Sequence, residues 1–512
     1  MTVSTKDYYK IADKKKVKKL GQFFTPCYVA DFMRRWILGN NPKSILDPAV
    51  GNGIFLAGID DSIHKVGYDI DKEIIEFFKQ NNHMNYEIRI EDFLIDHWDE
   101  SFDSIICNPP YNKFQTLDNR EEVYLDLKEH LKIPLSGYSN QYVLFLLKSI
   151  KILNKSGRLA FIIPNEFLNT GYGKVVKKFL IREHCLKGIL SFDNSKNIFE
   201  DALTTACIVL VEKSKLNEAF FAKIDDIEEL SLFNFDDLEK NKNIRVKQYD
   251  SLNCDEKWLS LFEFNTKETV YKNLVPFSNY ARVKRGIATG DNEFFVFNKS
   301  KIKEYGISKK NLIPCATKCA DFKYPLFDES DFEKMEKTDV NCYVFDGSLY
   351  SDKNTVAYIK YGESIGTNKK YLTSHRDPWY GMESKEPSPI WINVFSRQKL
   401  KVVRNLAGIK NLTTFHSVYM NSDKDKFTDV LFCYLLTDLG QSILYQNKRS
   451  YGGGLDKFEP GDLNDALILD FGVISQEDTN QIVNVYNMLH DKRCDFAGLY
   501  KTLEQLFAKY LL

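Results

Sequence analysis

The sequence predicts a doubly wound α/β domain followed by a second domain of mixed α+β type. From residue 44 to about residue 212, short apolar runs typical of strands alternate with longer amphipathic helical patterns. This alternation favours a largely parallel sheet with helices on both faces. After about residue 250 the alternation stops, and short β-like patches lie among turn residues before a helical stretch near Lys426. The change in pattern predicts a separate mixed domain.

Each element of the first domain has its own signature. Several strand-like runs are continuously apolar, as expected for strands that are buried on both faces of a parallel sheet. The predicted strands are 44–47, 66–70, 86–90, 102–107, 158–164, 187–192 and 206–212. The predicted helices include 71–81, 140–154 and 172–184. An acidic, polar run within 213–250 then indicates the domain junction.

The chain is long enough for at least two packed cores, because single cores stop growing near roughly 250–300 residues. We predict a polar, lysine-rich leader over 1–20, the α/β domain over 21–245 and the mixed domain over 246–512. The leader is interpreted as a solvated segment. The β-like patches of the second domain are 292–298, 341–347 and 389–395.

Charge and cysteine content narrow the class of protein. The 70 Lys and Arg residues balance 71 Asp and Glu residues, so a nucleic-acid partner would need a local basic cleft. The ten cysteines form no CxxC pair, and the spacing of Cys315 and Cys319 supports zinc only weakly, so no metal site is predicted. There is no signal-peptide core and no run near ~20 apolar residues. We therefore expect a soluble, reduced, cytoplasmic protein with no membrane partner.

Three acidic residues follow successive predicted strands, and the first lies on a glycine-containing turn. Asp47 ends the first strand and begins the turn 47–53, whose glycines let a ligand approach the backbone closely. Asp69 comes 22 residues later, where a carboxylate can accept hydrogen bonds from ribose hydroxyls. Asp92 and Phe93 follow the next strand and suit an adenine amine and its ring face. The pattern predicts an adenosine-containing ligand, either a dinucleotide or S-adenosylmethionine.

The tetrapeptide Asn108-Pro109-Pro110-Tyr111 directly follows the apolar strand 102–107. Two prolines stiffen the backbone and remove two donors, so nearby carbonyls and the Asn108 side chain act as acceptors. A target amine can donate to the Asn108 side chain and to the Pro109 carbonyl, which aims its lone pair at a methyl sulfonium. Tyr111 can stack on a planar ring. Alone, the tetrapeptide indicates a strand-ending turn, but its place 16 residues after Asp92 favours the catalytic interpretation.

In this order the motifs resemble those of the gamma-class amino-methyltransferases of DNA, the group that includes the TaqI-like enzymes. Residues 21–26 look like the family's leading motif, 47–53 like its cofactor loop and 108–111 like its catalytic motif. The resemblance implies a Rossmann-like fold, S-adenosylmethionine as cofactor, and methyl transfer to N6 of an adenine extruded from double-stranded DNA. The implied cofactor-binding residues are Thr25, Asp47, Ala49, Gly51, Asp69, Ile70, Asp92, Phe93 and Phe145. Phe199 matches an aromatic that, with Tyr111, sandwiches the extruded adenine.

The second domain resembles the family's target-recognition domain. Residues 285–290 with 292–295 are similar to its opening, and 450–454 with 457–460 are similar to its closing segment. Affinity for DNA would come mainly from cations on phosphates, and specificity from side chains on base edges. The candidate DNA-binding residues are Lys284, Arg285, Arg397, Arg449 and Lys457. Each of them also fits an ordinary solvated surface charge.

Other functions fit parts of the same pattern. Release-factor glutamine methyltransferases carry NPPY too, but about 260 residues follow the junction here. RNA adenine is another target, and so is N4 of cytosine, usually with Ser at the position of Asn108. C5-cytosine methylation is disfavoured because that reaction uses a cysteine nucleophile. A DNA-recognition module without catalytic activity is disfavoured because the predicted cofactor-binding motifs are complete. We expect the modification enzyme of a type II restriction-modification system, a monomer or weak dimer, with any cognate restriction endonuclease encoded separately.

Overall fold

The computed structural model describes residues 24–81, 85–112, 119–133, 140–192, 206–238, 241–264, 271–451 and 455–512. They form two compact units, one from the described residues up to 264 with 449–451, the other from 271–448 with 455–512. The predicted junction lies between residues 245 and 246. The first unit instead continues to 264, because strand 244–248 pairs in its sheet and Trp258 and Phe262 pack edge-on against Phe221.

The first unit is built on a nine-stranded sheet. Its strands are β1 (Ser44–Asp47), β2 (His64–Tyr68), β3 (Glu87–Arg89), β4 (Phe102–Cys107), β5 (Leu153–Pro164), β6 (Leu186–Phe192), β7 (Ala206–Glu212), β8 (Glu218–Ile224) and β9 (Ile244–Gln248). Their order across the sheet is β3-β2-β1-β4-β5-β7-β6-β8-β9. Strands β1 to β5 run parallel, and β7 is inserted antiparallel between β5 and β6. This topology confirms the predicted doubly wound α/β fold.

Helices cover both faces of this sheet. They are α1 (Cys27–Leu38), α2 (Lys72–Asn81), α3 (Arg120–Leu131), α4 (Gln141–Ile152), α5 (Gly173–Arg182) and α6 (Glu229–Leu232). Successive strand residues point to opposite faces. Ile105 of β4 accordingly joins a buried cluster with α3, α4 and α5, whereas Ile106 joins one with α1 and α2. Burial on both faces explains why the strand sequences are continuously apolar.

The second half of the chain is a mixed α+β unit, as predicted. The strands after residue 271 are β10 (Leu274–Pro276), β11 (Ala281–Arg285), β12 (Val296–Phe297), β13 (Leu312–Ala316), β14 (Leu326–Phe327), β15 (Tyr343–Phe345), β16 (Ile390–Asn393), β17 (Phe395–Ser396), β18 (Val402–Asn405), β19 (Lys410–Asn411), β20 (Phe415–Met420), β21 (Arg449–Tyr451), β22 (Leu455–Lys457) and β23 (Leu467–Leu469). Of these, β21 belongs to the first unit. Two sheets of the second unit have the orders β11-β20-β16-β18-β14 and β12-β15-β13-β19.

The central five-stranded sheet of the second unit is buried on both faces. The helices of this half are α7 (Asn292–Phe295), α8 (Lys299–Tyr305), α9 (Glu329–Lys337), α10 (Lys353–Ser364), α11 (Tyr371–Ser374), α12 (Thr428–Leu436), α13 (Asp438–Tyr445), α14 (Pro460–Asn464), α15 (Gln476–Met488) and α16 (Phe496–Leu511). On one face, Val418 of β20 shares a buried cluster with Leu431 of α12 and Phe507 of α16. On the other, Trp391 of β16 packs in an aromatic cluster with Phe294 of α7.

Trp258→Ala is expected to destabilise the first unit by about 3–5 kcal/mol, the usual cost of truncating a large buried aromatic. The Trp258 side chain is 1% exposed, its Nε1 donates to the Asn253 carbonyl at 2.9 Å, and its ring centroid lies 5.5 Å from that of Phe221. Urea unfolding followed by circular dichroism measures the effect. Leu232→Ala is the control, because Leu232 is 84% exposed. An unchanged midpoint for Trp258→Ala would place the segment after residue 245 outside this core.

Candidate active site

The candidate site lies at the carboxyl edge of the nine-stranded sheet. Strands β1, β2, β3 and β4 are parallel neighbours, so the residues that follow them meet at this edge. Those residues are the turn that begins at Asp47, then Asp69, Asp92 and Asn108. Polar groups that are distant in the sequence are thereby assembled along one side of the sheet.

The turn after β1 is clamped to the end of β2. The Val50 N–H donates to the Tyr68 carbonyl at 2.8 Å, and the Gly51 N–H donates to Asp69 Oδ2 at 2.9 Å. Gly51 and Gly53 have φ angles of +51° and +76°, in the left-handed region that favours glycine. The turn therefore depends on these two glycines for its path, and on the Asp69 carboxylate for its attachment to β2.

Two carboxyl groups lie close together beneath this turn. Asp47 is fully buried, and its Oδ1 accepts from the Ala49 N–H at 3.1 Å. Burial raises the pKa of Asp47 well above its usual value, and the charge of Asp69 adds to the rise. Burial also raises the pKa of Asp69 to about 6. Asp69 Oδ1 accepts from the Asp71 N–H at 2.9 Å, which fixes the orientation of the carboxylate at the strand end.

Ile70 offers apolar surface next to this carboxylate. Its side chain is 58% exposed, although it lies only two residues after the buried strand β2. Single exposed apolar side chains are common on protein surfaces, but this one directly follows the fixed acceptor Asp69, and ligand sites combine apolar surface with placed polar groups. The pair suits a ribose, whose hydroxyls can donate to Asp69, attached to a flat ring that can lie on Ile70.

Asp92 and Phe93 follow β3 and point to different surroundings. Asp92 Oδ1 accepts from the Leu94 N–H at 3.0 Å, and its Oδ2 accepts from the Asn119 amide at 3.1 Å. The Phe93 ring is 3% exposed, and its centroid lies 5.4 Å from that of Phe145, which is 7% exposed. The two rings thus pack in the core behind the site, while the Asp92 carboxylate is half-buried at its edge.

A hydrogen bond joins Asn108 to Thr25, 83 residues earlier in the chain. Asn108 Nδ2 donates to Thr25 Oγ1 at 3.0 Å, and Thr25 is buried. The contact attaches the segment before α1 to the end of β4. Two residues that were predicted for different roles, one toward the cofactor and one toward the target amine, therefore share one site.

Tyr111 ends the tetrapeptide in a largely enclosed position. Its hydroxyl donates to the Ile162 carbonyl at 3.3 Å, and its ring lies edge-on to Tyr142 with 6.4 Å between centroids. Burial raises the pKa of Tyr111 well above its usual value, so the phenol stays neutral. The Gln141 N–H donates to the Asn112 carbonyl at 2.8 Å, which ties the residue after the tetrapeptide to the start of α4.

Behind Tyr111 lies a hydrogen-bonded group of side chains that the sequence motifs do not predict. The hydroxyls of Tyr142 and Tyr172 lie 2.8 Å apart, and the Asn140 amide donates to Tyr172 at 3.1 Å. The Tyr172 hydroxyl donates in turn to Glu166 Oε2 at 3.4 Å. This group connects α4, the start of α5 and the segment after β5. A usable signal was the acidic Glu166, two residues after the end of an apolar strand.

The predicted stacking residue Phe199 lies outside the described residues.

The candidate DNA-binding cations are distributed over several elements. Lys284 Nζ lies 5.5 Å from the Tyr419 ring centroid, and Arg285 forms a 2.7 Å ion pair with Glu383.

The remaining three candidates lie between residues 397 and 457. Lys457 forms a 2.5 Å ion pair with Glu459, and its ammonium lies 5.5 Å from the exposed ring of Phe395. Strand β17 pairs with β22, and the exposed Arg397 follows β17 directly. Arg449 is half-buried on β21. Their roles on DNA stay predictions.

No helix in the part of the chain that the structure describes is long and apolar enough to cross a membrane. Within those same residues, no group of three or more His, Cys, Asp or Glu side chains is arranged to hold a metal ion.

Two protein-family models match the chain, and together they extend over most of its length. Residues 52–199 match the Eco57I restriction-modification methylase, and residues 255–505 match the C-terminal domain of the type II methyltransferase M.Eco57I.

One curated relative and one solved structure are similar to nearly the whole chain, and another relative is similar to part of it. The chain is 41% identical over 498 residues to the type II methyltransferase M.AccI of Acinetobacter calcoaceticus, with 94% of this chain and 91% of that protein covered. It is 31% identical over 210 residues to M.HincII of Haemophilus influenzae, with 40% and 39% covered. The type IIL restriction-modification enzyme MmeI, solved in complex with DNA, is similar with a TM-score of 0.61 and 12% identity, over 98% of this chain and 77% of that one. At this identity the structural likeness shows the fold alone.

Proposed function

We propose, from the premise that this chain belongs to the type II DNA methyltransferases of restriction-modification systems, that it methylates N6 of adenine with S-adenosylmethionine. The observation that carries the proposal is the tetrapeptide 108–111 at the carboxyl end of β4, with the Asn108 amide held by Thr25. It lies beside the acidic strand ends that suit an adenosine group. Acceptors for an amine and a site for a nucleoside cofactor thus occupy one edge of the sheet.

The residues at this edge fit S-adenosylmethionine. Asp69 can accept the ribose hydroxyls, Ile70 can cover one face of the adenine, and Asp92 can accept from its amine. The turn through Ala49 and Gly51 brings backbone close to the ligand without intervening side chains. In this proposal Thr25 faces the methionine part, while Asp47, Phe93 and Phe145 support the wall from behind. When bound, S-adenosylmethionine supplies an electrophilic methyl group on its sulfonium.

The chain's own contribution to the transfer is to orient the target amine. The side-chain oxygen of Asn108 and the carbonyl of Pro109 each accept a hydrogen bond from one N–H of the target amine. These two hydrogen bonds withdraw the nitrogen lone pair from the ring and direct it toward the methyl group. The hydrogen bond to Thr25 fixes the rotation of the Asn108 amide, and Pro110 stiffens the turn. No covalent nucleophile takes part. These acceptors are already oriented in the folded protein, before the substrate binds.

An adenine N6 lies inside the duplex, so the base has to be extruded into the site. Tyr111 stays neutral and offers a ring face for stacking, and Phe199 would close the opposite face. The second unit would read the sequence around the target, with Lys284, Arg285, Arg397, Arg449 and Lys457 as candidate contacts. The enzyme would act as a monomer or weak dimer that protects DNA from a separately encoded endonuclease.

Asn108→Ala is expected to lower the methylation rate at saturating substrates by about 10²–10³-fold, the usual effect of removing one positioned acceptor or donor of this kind. The dissociation constant for S-adenosylmethionine should stay within about twofold, because the side chain is assigned to the amine. Single-turnover methylation and calorimetry measure the two quantities. Asn480→Ala, an exposed position on α15, is the matched control. Near-wild-type turnover of Asn108→Ala would exclude the mechanism.

Asp69→Asn is expected to weaken S-adenosylmethionine binding by about tenfold or more, because hydrogen bonds to a charged acceptor are the stronger ones. In the wild type, the dissociation constant should rise as the pH falls through about 6, where this carboxylate becomes protonated. Below that pKa, each pH unit lowers the ionised fraction about tenfold.

Calorimetric titrations at pH 8, 7, 6 and 5 test this dependence. Asp69→Asn should bind S-adenosylmethionine weakly at every pH, and its dissociation constant should not change with pH. Asp236→Asn, which removes an exposed carboxylate, should behave as the wild type. A wild-type dissociation constant that stays constant from pH 8 to pH 5 would remove the Asp69 carboxylate from the cofactor site.

A further inference from the structure

In the second unit, the loop 286–291 between β11 and α7 is held in one conformation by its surroundings. A Cβ on Gly286 would lie 2.2 Å from the Leu412 carbonyl oxygen, so no larger residue fits there without a shift of backbone. Gly290 has a φ of +82°, and a Cβ there would lie 2.9 Å from the Leu372 side chain. The loop therefore approaches the segment 366–376 closely, and glycine is required on its side of the contact.

Polar contacts to the buried Asp291 attach the segment 366–376, here called the anchored segment, to this loop. The Thr367 hydroxyl donates to Asp291 Oδ2 at 3.0 Å, and Lys370 forms a 2.6 Å ion pair with the same oxygen. Thr367 is fully buried, and Asp291 is 8% exposed. The Lys370 side chain is about half exposed, so the buried partner is Asp291, whose carboxylate would lose compensation if either contact were removed.

A second attachment lies at the other end of the anchored segment. The Arg376 guanidinium donates to the carbonyls of Ala288 at 2.8 Å and Thr289 at 3.1 Å, and to that of Gly381 at 2.9 Å. Arg376 is partly buried, and its charge lies 5.6 Å from the Phe295 ring centroid. An arginine used in this way is a structural clamp on the backbone of the loop.

Between these two attachments the anchored segment presents an aromatic ring to solvent. Tyr371, at the start of α11, is 78% exposed, the highest value for an aromatic residue among the residues that the structure describes. The adjoining Leu372 is 40% exposed, and the His375 ring lies 4.8 Å from that of Tyr371. A rigid backbone that exposes a tyrosine loses little conformational entropy when that tyrosine binds.

Basic side chains lie on the anchored segment and on β11, the strand that leads into the loop 286–291. Lys369 directly precedes the Lys370–Tyr371 pair and is exposed. On β11, Arg282 and Lys284 are exposed while Val283 between them is buried, so both cations lie on the outer face of the strand.

The acidic Glu383 nearby is shared by two further cations. It forms 2.7 Å ion pairs with both Arg285 and Lys385, and Lys385 also donates to the carbonyls of Arg285 and Gly286. Across β11, the loop 286–291 and the anchored segment, six Lys and Arg side chains accompany one carboxylate, that of Asp291. This balance is complementary to a polyanion, and it favours duplex DNA over an apolar protein partner.

We propose that the anchored segment is a DNA-contacting element of the second unit, with Tyr371 against a base or deoxyribose and Lys369 against a flanking phosphate. The inference rests on the proposed function, since it takes DNA as the substrate. Phosphate contacts would set the register of the duplex, and the ring would wedge against or stack on it. The pairing of Lys370 with Asp291 assigns that lysine to the support of the segment.

Full-length variants Tyr371→Ala and Lys369→Ala test the proposal. Fluorescence anisotropy with a labelled duplex, at salt concentrations from 50 to about 200 mM, gives the dissociation constant and its salt dependence. Tyr371→Ala is expected to weaken DNA binding about tenfold, and Tyr371→Phe to keep most of the affinity. Lys369→Ala is expected to lower the slope of log affinity against log salt by about 1.

The matched control is Lys323→Ala with Tyr324→Ala, another exposed Lys-Tyr pair in the same unit, whose ring lies against Phe496 and Lys492. This control should bind DNA as the wild type does. Tyr371 is exposed, so Tyr371→Ala should unfold at the wild-type temperature, which separates a lost contact from a lost fold.

The outcomes distinguish this inference from the proposed function. If the wild type methylates DNA but Tyr371→Ala and Lys369→Ala bind the duplex as tightly and with the same salt slope, the inference is overturned and the function stands. If Tyr371→Ala changes only the oligomeric state in sedimentation analysis, the surface is a subunit contact and the inference is again overturned. If the wild type methylates no DNA, the proposed function fails first.

Discussion

Parallel pairing of β1 with β2 on one side and with β4 on the other is the constraint on which the site depends. The register Asp47 to Gly67 and Leu46 to Ile105 places three strand ends at one edge. The proposed acceptors Asp69, Asp92 and Asn108 each follow the end of a strand, whereas Thr25 reaches the same edge from the segment before α1. A change of strand order would separate the carboxylates from the tetrapeptide, even if each local turn were kept.

Two hydrogen bonds hold the residues of the proposed site, one on the cofactor side and one on the side of the target amine. Asp69 holds the glycine turn through the Gly51 N–H and is itself the proposed ribose acceptor, so in the proposed function its raised pKa of about 6 makes cofactor binding depend on pH. Thr25 holds the Asn108 amide from a distant segment of the chain. The second unit has its own rigid loop and exposed aromatic ring, which fits a role in DNA contact without any part in methyl transfer.

The fold of the first unit was largely predictable, because strands buried on both faces must be continuously apolar. The runs 44–47 and 102–107 are strands over those residues, and the helical patterns 71–81, 140–154 and 172–184 form helices α2, α4 and α5. Strands β8 and β9 were missed, since the acidic loops around them made 213–250 resemble a junction, and the boundary was therefore placed too early. The sequence also identified polar strand ends but not their contacts: nothing in the spacing relates Thr25 to Asn108, or Tyr142 to Tyr172, because those distances are set by tertiary packing.

The most direct test of the central claim is to incubate the purified protein with methyl-labelled S-adenosylmethionine and unmethylated genomic DNA, and then to identify the labelled nucleoside after digestion. The account predicts label in N6-methyldeoxyadenosine alone, at adenines in one sequence context. Label in N4-methylcytosine would keep the site geometry and contradict the assignment of the base. Absence of label from DNA, with label in RNA or in a protein glutamine instead, would contradict the assignment of the substrate.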